Sequence, residues 1–201
     1  MTIKFIEVNK ESPIVEFEYP VDDLQVLFEN YKDWGTDDDI KGLEYAGLSK
    51  RLIVKSNKIH NTSFHNFRKE MDNSKLELVK KFLEIDTERR WPNIPDPIAN
   101  RLVIYVSLIT DLKGYQMDQH LDNRSVYAAG YLNIFENESL TVIGSVKKNF
   151  FGTTKETQYR APGKKGRGVI WLNTENSRHW VNTVSQDRKI LMMSFQIVPW
   201  D

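Results

Sequence analysis

Four histidines stand in a chain of 201 residues that contains no cysteine. Disulfides, thiolate nucleophiles, cysteine-held zinc and iron–sulfur clusters are therefore excluded. Any metal must be held by imidazole and carboxylate, a donor set that suits iron, manganese or zinc. His120 lies in the stretch Gln116-Met117-Asp118-Gln119-His120-Leu121-Asp122. In an extended strand, residues two apart project from one face, so His120 and Asp122 can offer a nitrogen and an oxygen to a single ion. A second imidazole from a distant strand would complete a facial set of three and leave the remaining octahedral positions open. His179, in Ser177-Arg178-His179-Trp180-Val181, is the candidate, and Arg188 follows nine residues later. By alternation from His179, Trp180 faces away from the metal and is read as core; Trp171 is expected in the core too, with lining the pocket as the lesser alternative. His60 and His65 are five apart, a spacing that aligns them poorly on a strand or a helix, and they are read as surface residues.

The elements that must position these residues change character near residue 100. Short segments rich in β-branched and aromatic residues recur between turn signals at 102–109, 115–121, 126–135, 139–146, 155–161, 167–173, 178–184 and 189–198. Eight such strands without intervening helices predict a sandwich or barrel. Before them, 14–19 reads as a strand and 21–31 as a helix with acidic residues in its first turn. A second helix is expected over 74–88, with Leu76, Val79, Phe82 and Leu83 on one face. The proline-rich stretch 91–97 must be extended or turning. The expectation is one domain over 1–201, mainly β with flanking helices: a helical and mixed buttress over 1–99 and an all-β core over 100–201.

His120, Asp122, His179 and Arg188, followed in identity, order and spacing, resemble the pattern of the 2-oxoglutarate-dependent oxygenases, particularly their prolyl-hydroxylase-like branch. The stretch Tyr131-Leu132-Asn133 also looks like that family's strand after the His-x-Asp turn. The resemblance spans roughly residues 100 to 198. It implies a double-stranded β-helix core of jelly-roll or cupin type, which agrees with the eight segments counted above. It implies that His120, Asp122 and His179 bind Fe(II), and that 2-oxoglutarate and O2 are co-substrates. Arg188 would pair with the far carboxylate of 2-oxoglutarate, with Tyr131 donating a hydrogen bond to it. The implied reaction is hydroxylation or oxidative demethylation with release of succinate and CO2; the aspartate favours hydroxylation over halogenation. Tyr105 and Tyr115 are the nearest candidates for the tyrosine that prolyl hydroxylases carry before the His-x-Asp turn. The paired glycines often found after the family's third strand are missing from 134–140.

Lys+Arg and Asp+Glu are equal at 28 each, so no global field gathers nucleic acid or anionic membrane. The basic segment 147–167, with Phe150, Phe151 and Tyr159 interleaved, offers a local alternative for single-stranded nucleic acid; the solvated-hairpin reading is favoured over it. A protein side chain or a small metabolite is the expected substrate. There is no apolar stretch of signal-peptide length near the start, and 102–109 is too short to span a bilayer, so a cytoplasmic protein without a membrane partner is expected. The rival readings are a non-catalytic cupin-type binding barrel and a zinc or manganese hydrolase or isomerase with the same triad. Neither rival needs Arg188.

Overall fold

A computed structural model describes residues 2–9, 13–32, 50–85, 101–123, 125–138, 140–149, 152–155, 159–174 and 177–198. In chain order the elements are β1 (Lys4–Asn9), β2 (Ile14–Glu18), α1 (Asp22–Asn30), β3 (Arg51–Lys55), a 3-10 turn (Ser56–Lys58) and α2 (Thr62–Ile85). They continue with β4 (Leu102–Asp111), β5 (Met117–His120), β6 (Val126–Asn133), β7 (Thr141–Gly144), β8 (Val146–Asn149) and β9 (Gly152–Lys155). The last four are β10 (Tyr159–Arg160), β11 (Arg167–Leu172), β12 (Arg178–Val181) and β13 (Arg188–Ile197).

Two antiparallel sheets carry the architecture. The larger has seven strands in the order β1-β2-β11-β6-β13-β4-β3, and the smaller has four in the order β10-β7-β12-β5. The chain passes from β4 in the large sheet to β5 in the small one, back to β6, over to β7 and β10 together in the small sheet, and then by β11 and β12 to β13. Such alternation winds the two sheets together as a double-stranded β-helix. All eight expected segments contribute a strand to it, namely β4, β5, β6, β7, β10, β11, β12 and β13. Among the described residues of 155–161, Lys155 ends β9 and Tyr159–Arg160 form β10. The hairpin β8–β9, which precedes it, is not among the eight segments but falls almost wholly within 147–167, the segment read as a hairpin. Strands β1, β2 and β3 extend the large sheet at both edges, and only β2 was expected.

Strand alternation divides the large sheet into two faces. The outer face presents Val15, Phe17, Leu102, Ile104, Val106, Leu108, Leu191, Met193 and Phe195, and against it pack Leu24 and Phe28 of α1 with Phe64, Phe67, Met71, Leu78 and Phe82 of α2. Each fully buried apolar side chain of this set contributes roughly 1.5–3 kcal/mol. Helix α2 starts well before the expected 74: the Asn61 side-chain oxygen accepts the Phe64 N–H at 3.0 Å and caps it. The earlier start also corrects its face. Leu76 and Leu83 are exposed at 49% and 62%, and the buried stripe runs Phe64, Phe67, Met71, Leu78, Val79 and Phe82. The expected connection over 91–97 lies outside the described residues.

The inner face presents Ile109, Ile190, Ala129, Tyr131, Val169, Trp171 and Ile14, closed from the small sheet by Ile143 and Ala161. On the opposite, helix-facing side, Gly130 lets β11 approach β6: a Cβ on it would lie 2.4 Å from the Val169 carbonyl oxygen and 2.9 Å from Ile170. Gly114, at φ 81°, makes the turn that carries the chain from β4 across to β5.

Candidate metal centre

Strand β12 pairs antiparallel with β5 so that His179 stands opposite His120. Their rings lie 4.2 Å apart between centroids. Asp122, just past the end of β5, brings its Oδ2 to 3.8 Å from His179 Nε2. One ligand atom from each of the three residues can be chosen so that all lie within 4.8 Å of one another. The expected triad is thus assembled. Asn173, after β11, fixes the turn that holds Asp122: its Nδ2 lies 3.0–3.3 Å from the carbonyl oxygens of Asp122, Asn123 and Val126. Ser177 pins the turn before His179 by hydrogen bonding its hydroxyl to the Leu172 and Thr174 carbonyls.

The donors suit a cation. His120 Nδ1 lies 2.9 Å from the Asp118 carbonyl. A carbonyl only accepts, so Nδ1 carries the proton and Nε2 keeps a free lone pair. His179 is buried, and burial, reinforced by the neighbouring His120, pushes its pKa down to about 3. It is therefore neutral near pH 7 and ready to donate. Burial pushes the Asp122 carboxyl up, opposed by His120 and by the Trp171 indole. Asp122 Oδ2 and His179 Nδ1 are buried without a hydrogen-bond partner. A carboxylate held this way is the kind of group whose burial a divalent ion would relieve, and two imidazoles with one carboxylate suit iron.

A pH dependence follows for the metal-free protein. His179 has a folded pKa of about 3 against an unfolded value of 6.5, so the unfolded chain binds the extra proton. The His179 contribution is complete above pH 6.5 and is lost as pH falls from there toward 3. Thermal melts between pH 7 and 4 should show wild type losing stability more steeply than His179→Leu; parallel slopes would refute the assignment.

The inner face of the large sheet is built of cross-strand rows. One row holds Tyr105, Ser194, Ala129 and Trp171, and the next holds Ser107, Met192, Tyr131 and Val169. Trp171 stacks obliquely on His179 at 4.7 Å and meets Tyr131 at 6.3 Å, so it lines the site rather than merely filling the core. The Arg188 guanidinium lies 5.5 Å from the Tyr131 ring centre. Arg188 is only 2% exposed. Its Nε and Nη2 donate to Asp111 Oδ2 at 2.9 and 2.6 Å, and its Nη1 donates to Thr141 Oγ1 at 2.7 Å. Asp111 also accepts from Arg51, through Nε at 2.5 Å and Nη2 at 3.1 Å.

The sequence reading missed Arg51, Asp111 and Thr141. Asp111 did carry a signal, because a carboxylate ending a strand as apolar as 102–110 needs a partner if it is buried. His60 and His65 are exposed, as expected. Tyr105 is half exposed, whereas Tyr115 is buried beneath Arg51, whose guanidinium lies 4.4 Å from its ring centre. Much of the basic segment 147–167 lies outside the described side chains.

No protein-family model matches the chain, and no curated protein matches it in sequence. Solved structures do match. A prolyl-4-hydroxylase of Pseudomonas putida superimposes with a TM-score of 0.58 at 12% identity, covering 94% of each chain. A Shewanella oneidensis protein assigned as an oxygenase gives 0.60 at 11% identity, covering 94% of this chain and 84% of its own. At these identities the shared property is the fold, the double-stranded β-helix. No helix among the described residues is long and apolar enough to cross a membrane.

Proposed function

We propose that this chain is an Fe(II)- and 2-oxoglutarate-dependent oxygenase that hydroxylates, or oxidatively demethylates, a protein side chain or small metabolite. The observation that carries the reading is the pairing of two arrangements from facing sheets, the His120–Asp122–His179 cluster from the small sheet and Arg188 from the inner face of the large one. His120, Asp122 and His179 converge with unfilled donor capacity, and a buried arginine stands beyond Trp171 and Tyr131 with part of its fork still free. When bound, the iron would supply dioxygen activation coupled to decarboxylation of the 2-oxo acid.

The chain's own residues would do the rest. His120 Nε2, Asp122 and His179 would hold the ion, with Asp118 fixing the His120 ring. Arg188 uses three of its five N–H groups on Asp111 and Thr141, which leaves one on each Nη. Two parallel N–H groups at the end of a guanidinium match a carboxylate, so Arg188 would take the far carboxylate of 2-oxoglutarate. Burial raises the Tyr131 pKa, with Arg188 opposing, and the phenol stays protonated as a donor. Trp171 would wall the chelate and exclude water from it. The substrate's side-chain class is supported by the name of the Pseudomonas putida neighbour, a prolyl-4-hydroxylase.

Anaerobic titration of the Fe(II)-loaded protein with 2-oxoglutarate tests this. A visible charge-transfer band should grow to saturation. A folded, iron-loaded sample that shows no band would overturn the reading and favour a binding barrel.

A further inference from the structure

We propose that Arg51 is a positioning residue for the co-substrate: it restores the positive charge that Asp111 cancels on Arg188, so that this end of the pocket selects a dicarboxylate 2-oxo acid. The inference rests on the functional reading above.

Arg51 opens β3, Asp111 closes β4 and Arg188 opens β13, and the register places the three in one cross-strand row. Asp111 is fully buried, with Arg188 2% and Arg51 8% exposed. Asp111 orients Arg188 by holding its Nε and Nη2, but a lone one-to-one pair has no net charge and attracts an anion weakly. With Arg51 the row carries two cations and one anion. Among the described residues no second carboxylate contacts either guanidinium.

That surplus charge is the informative feature. The Asp111–Arg188 pair is electrically complete without Arg51, and a further buried cation costs stability unless an anion answers it. A purely structural role accounts for the Arg51 contacts with Asp111 and the Tyr115 ring but leaves the surplus charge unanswered, whereas a ligand carboxylate completes the balance at two against two. Tyr115 supplies a second sign of a missing partner. Its hydroxyl is buried with no hydrogen-bond partner, next to all three charged groups. Burial pushes its pKa up to about 12, so it remains a protonated donor.

The strand that delivers Arg51 lies outside the eight strands of the β-helix, on the edge of the large sheet. Recognition of the co-substrate would thus use a residue from the first half of the chain, which the His-x-Asp…His…Arg pattern does not contain.

The test compares two 2-oxo acids by anaerobic charge-transfer titration of the Fe(II)-loaded protein. 2-Oxobutyrate chelates through the same oxo acid but lacks the far carboxylate. Arg51→Gln should weaken 2-oxoglutarate binding on the order of tenfold or more, leave 2-oxobutyrate within about twofold, and leave iron content unchanged. Arg51→Lys, which keeps the charge, should recover most of the loss. The double variant Arg51→Gln/Asp111→Asn returns the row to one net positive charge and should also recover selectivity. If Arg51→Gln fails to fold, the lysine and double variants decide, because both are expected to keep the wild-type preference for 2-oxoglutarate.

Equal losses for both acids, an unchanged Arg51→Gln, or a double variant that does not retain or recover the preference would each overturn the role given to Arg51. A wild-type protein that gives no band with either acid overturns the functional reading, and this inference with it.

Discussion

Replacing His179 with alanine should abolish iron binding, and turnover with it, while the protein stays folded. Loss of groups that only support a metal ligand already lowers affinity or activity by about 10–100-fold, so loss of the ligand itself should exceed about 100-fold. The fold depends much less on this imidazole. Its Nδ1 is buried without a partner, and burial with His120 beside it pushes its pKa down to about 3. A group so poorly satisfied before metal binds contributes little beyond its packing against Trp171. Alanine removes that packing and leaves a small cavity, but also removes the unpaired nitrogen, and the two effects oppose. The control is Trp180→Ala on the same strand, a buried aromatic whose loss should cost about 3–5 kcal/mol. Iron per protein and a denaturant melt on each variant separate the cases. Full iron occupancy in His179→Ala would remove this residue from the metal centre.

That His120, Asp122 and His179 come together was legible because their geometry is local at one end and forced by topology at the other. His120 and Asp122 share a strand face by simple alternation. His179 then needed only to lie on a strand, and the double-stranded β-helix makes β12 the neighbour of β5. Trp171 was harder to place. In β11 and β6 almost every residue is buried, since one face meets the helices and the other meets the small sheet. With both faces apolar, alternation cannot say which residues point to the site. The face of α2 was misread because the helix was started at 74, whereas it is capped at Asn61 and its buried stripe is set by Phe64, Phe67 and Met71. Arg51 was illegible for a different reason. Its role depends on the pairing of β3 with β4, and about sixty residues separate Arg51 from Asp111. No short-range pattern records such a register. Only the structure puts the two arginines on one carboxylate.

Asp111→Ala should be the most destabilising single change in the site, at about 3–5 kcal/mol, because it leaves two buried guanidiniums side by side with no counter-charge. For a chain of 201 residues that corresponds to a fall in Tm of about 6–20 °C. The size of the effect matters less than its asymmetry. Removing Arg51 leaves Asp111 paired with Arg188, a neutral and well-bonded couple, and takes a surplus charge out of the interior. Removing Asp111 instead doubles the uncompensated charge. If the row worked only as hydrogen-bonded glue between β3, β4 and β13, Arg51→Gln would still be clearly destabilising, at about half the cost of Asp111→Ala, since it breaks the Arg51 bonds to the carboxylate and leaves those of Arg188. If the row is an anion site left one charge short, Asp111→Ala costs far more, and Arg51→Gln costs little or even stabilises the metal-free protein. Urea unfolding of both variants without metal or 2-oxo acid reads this difference directly. Saturating Fe(II) and 2-oxoglutarate should then stabilise wild type more than Arg51→Gln, because only wild type keeps the unanswered charge that the ligand carboxylate meets.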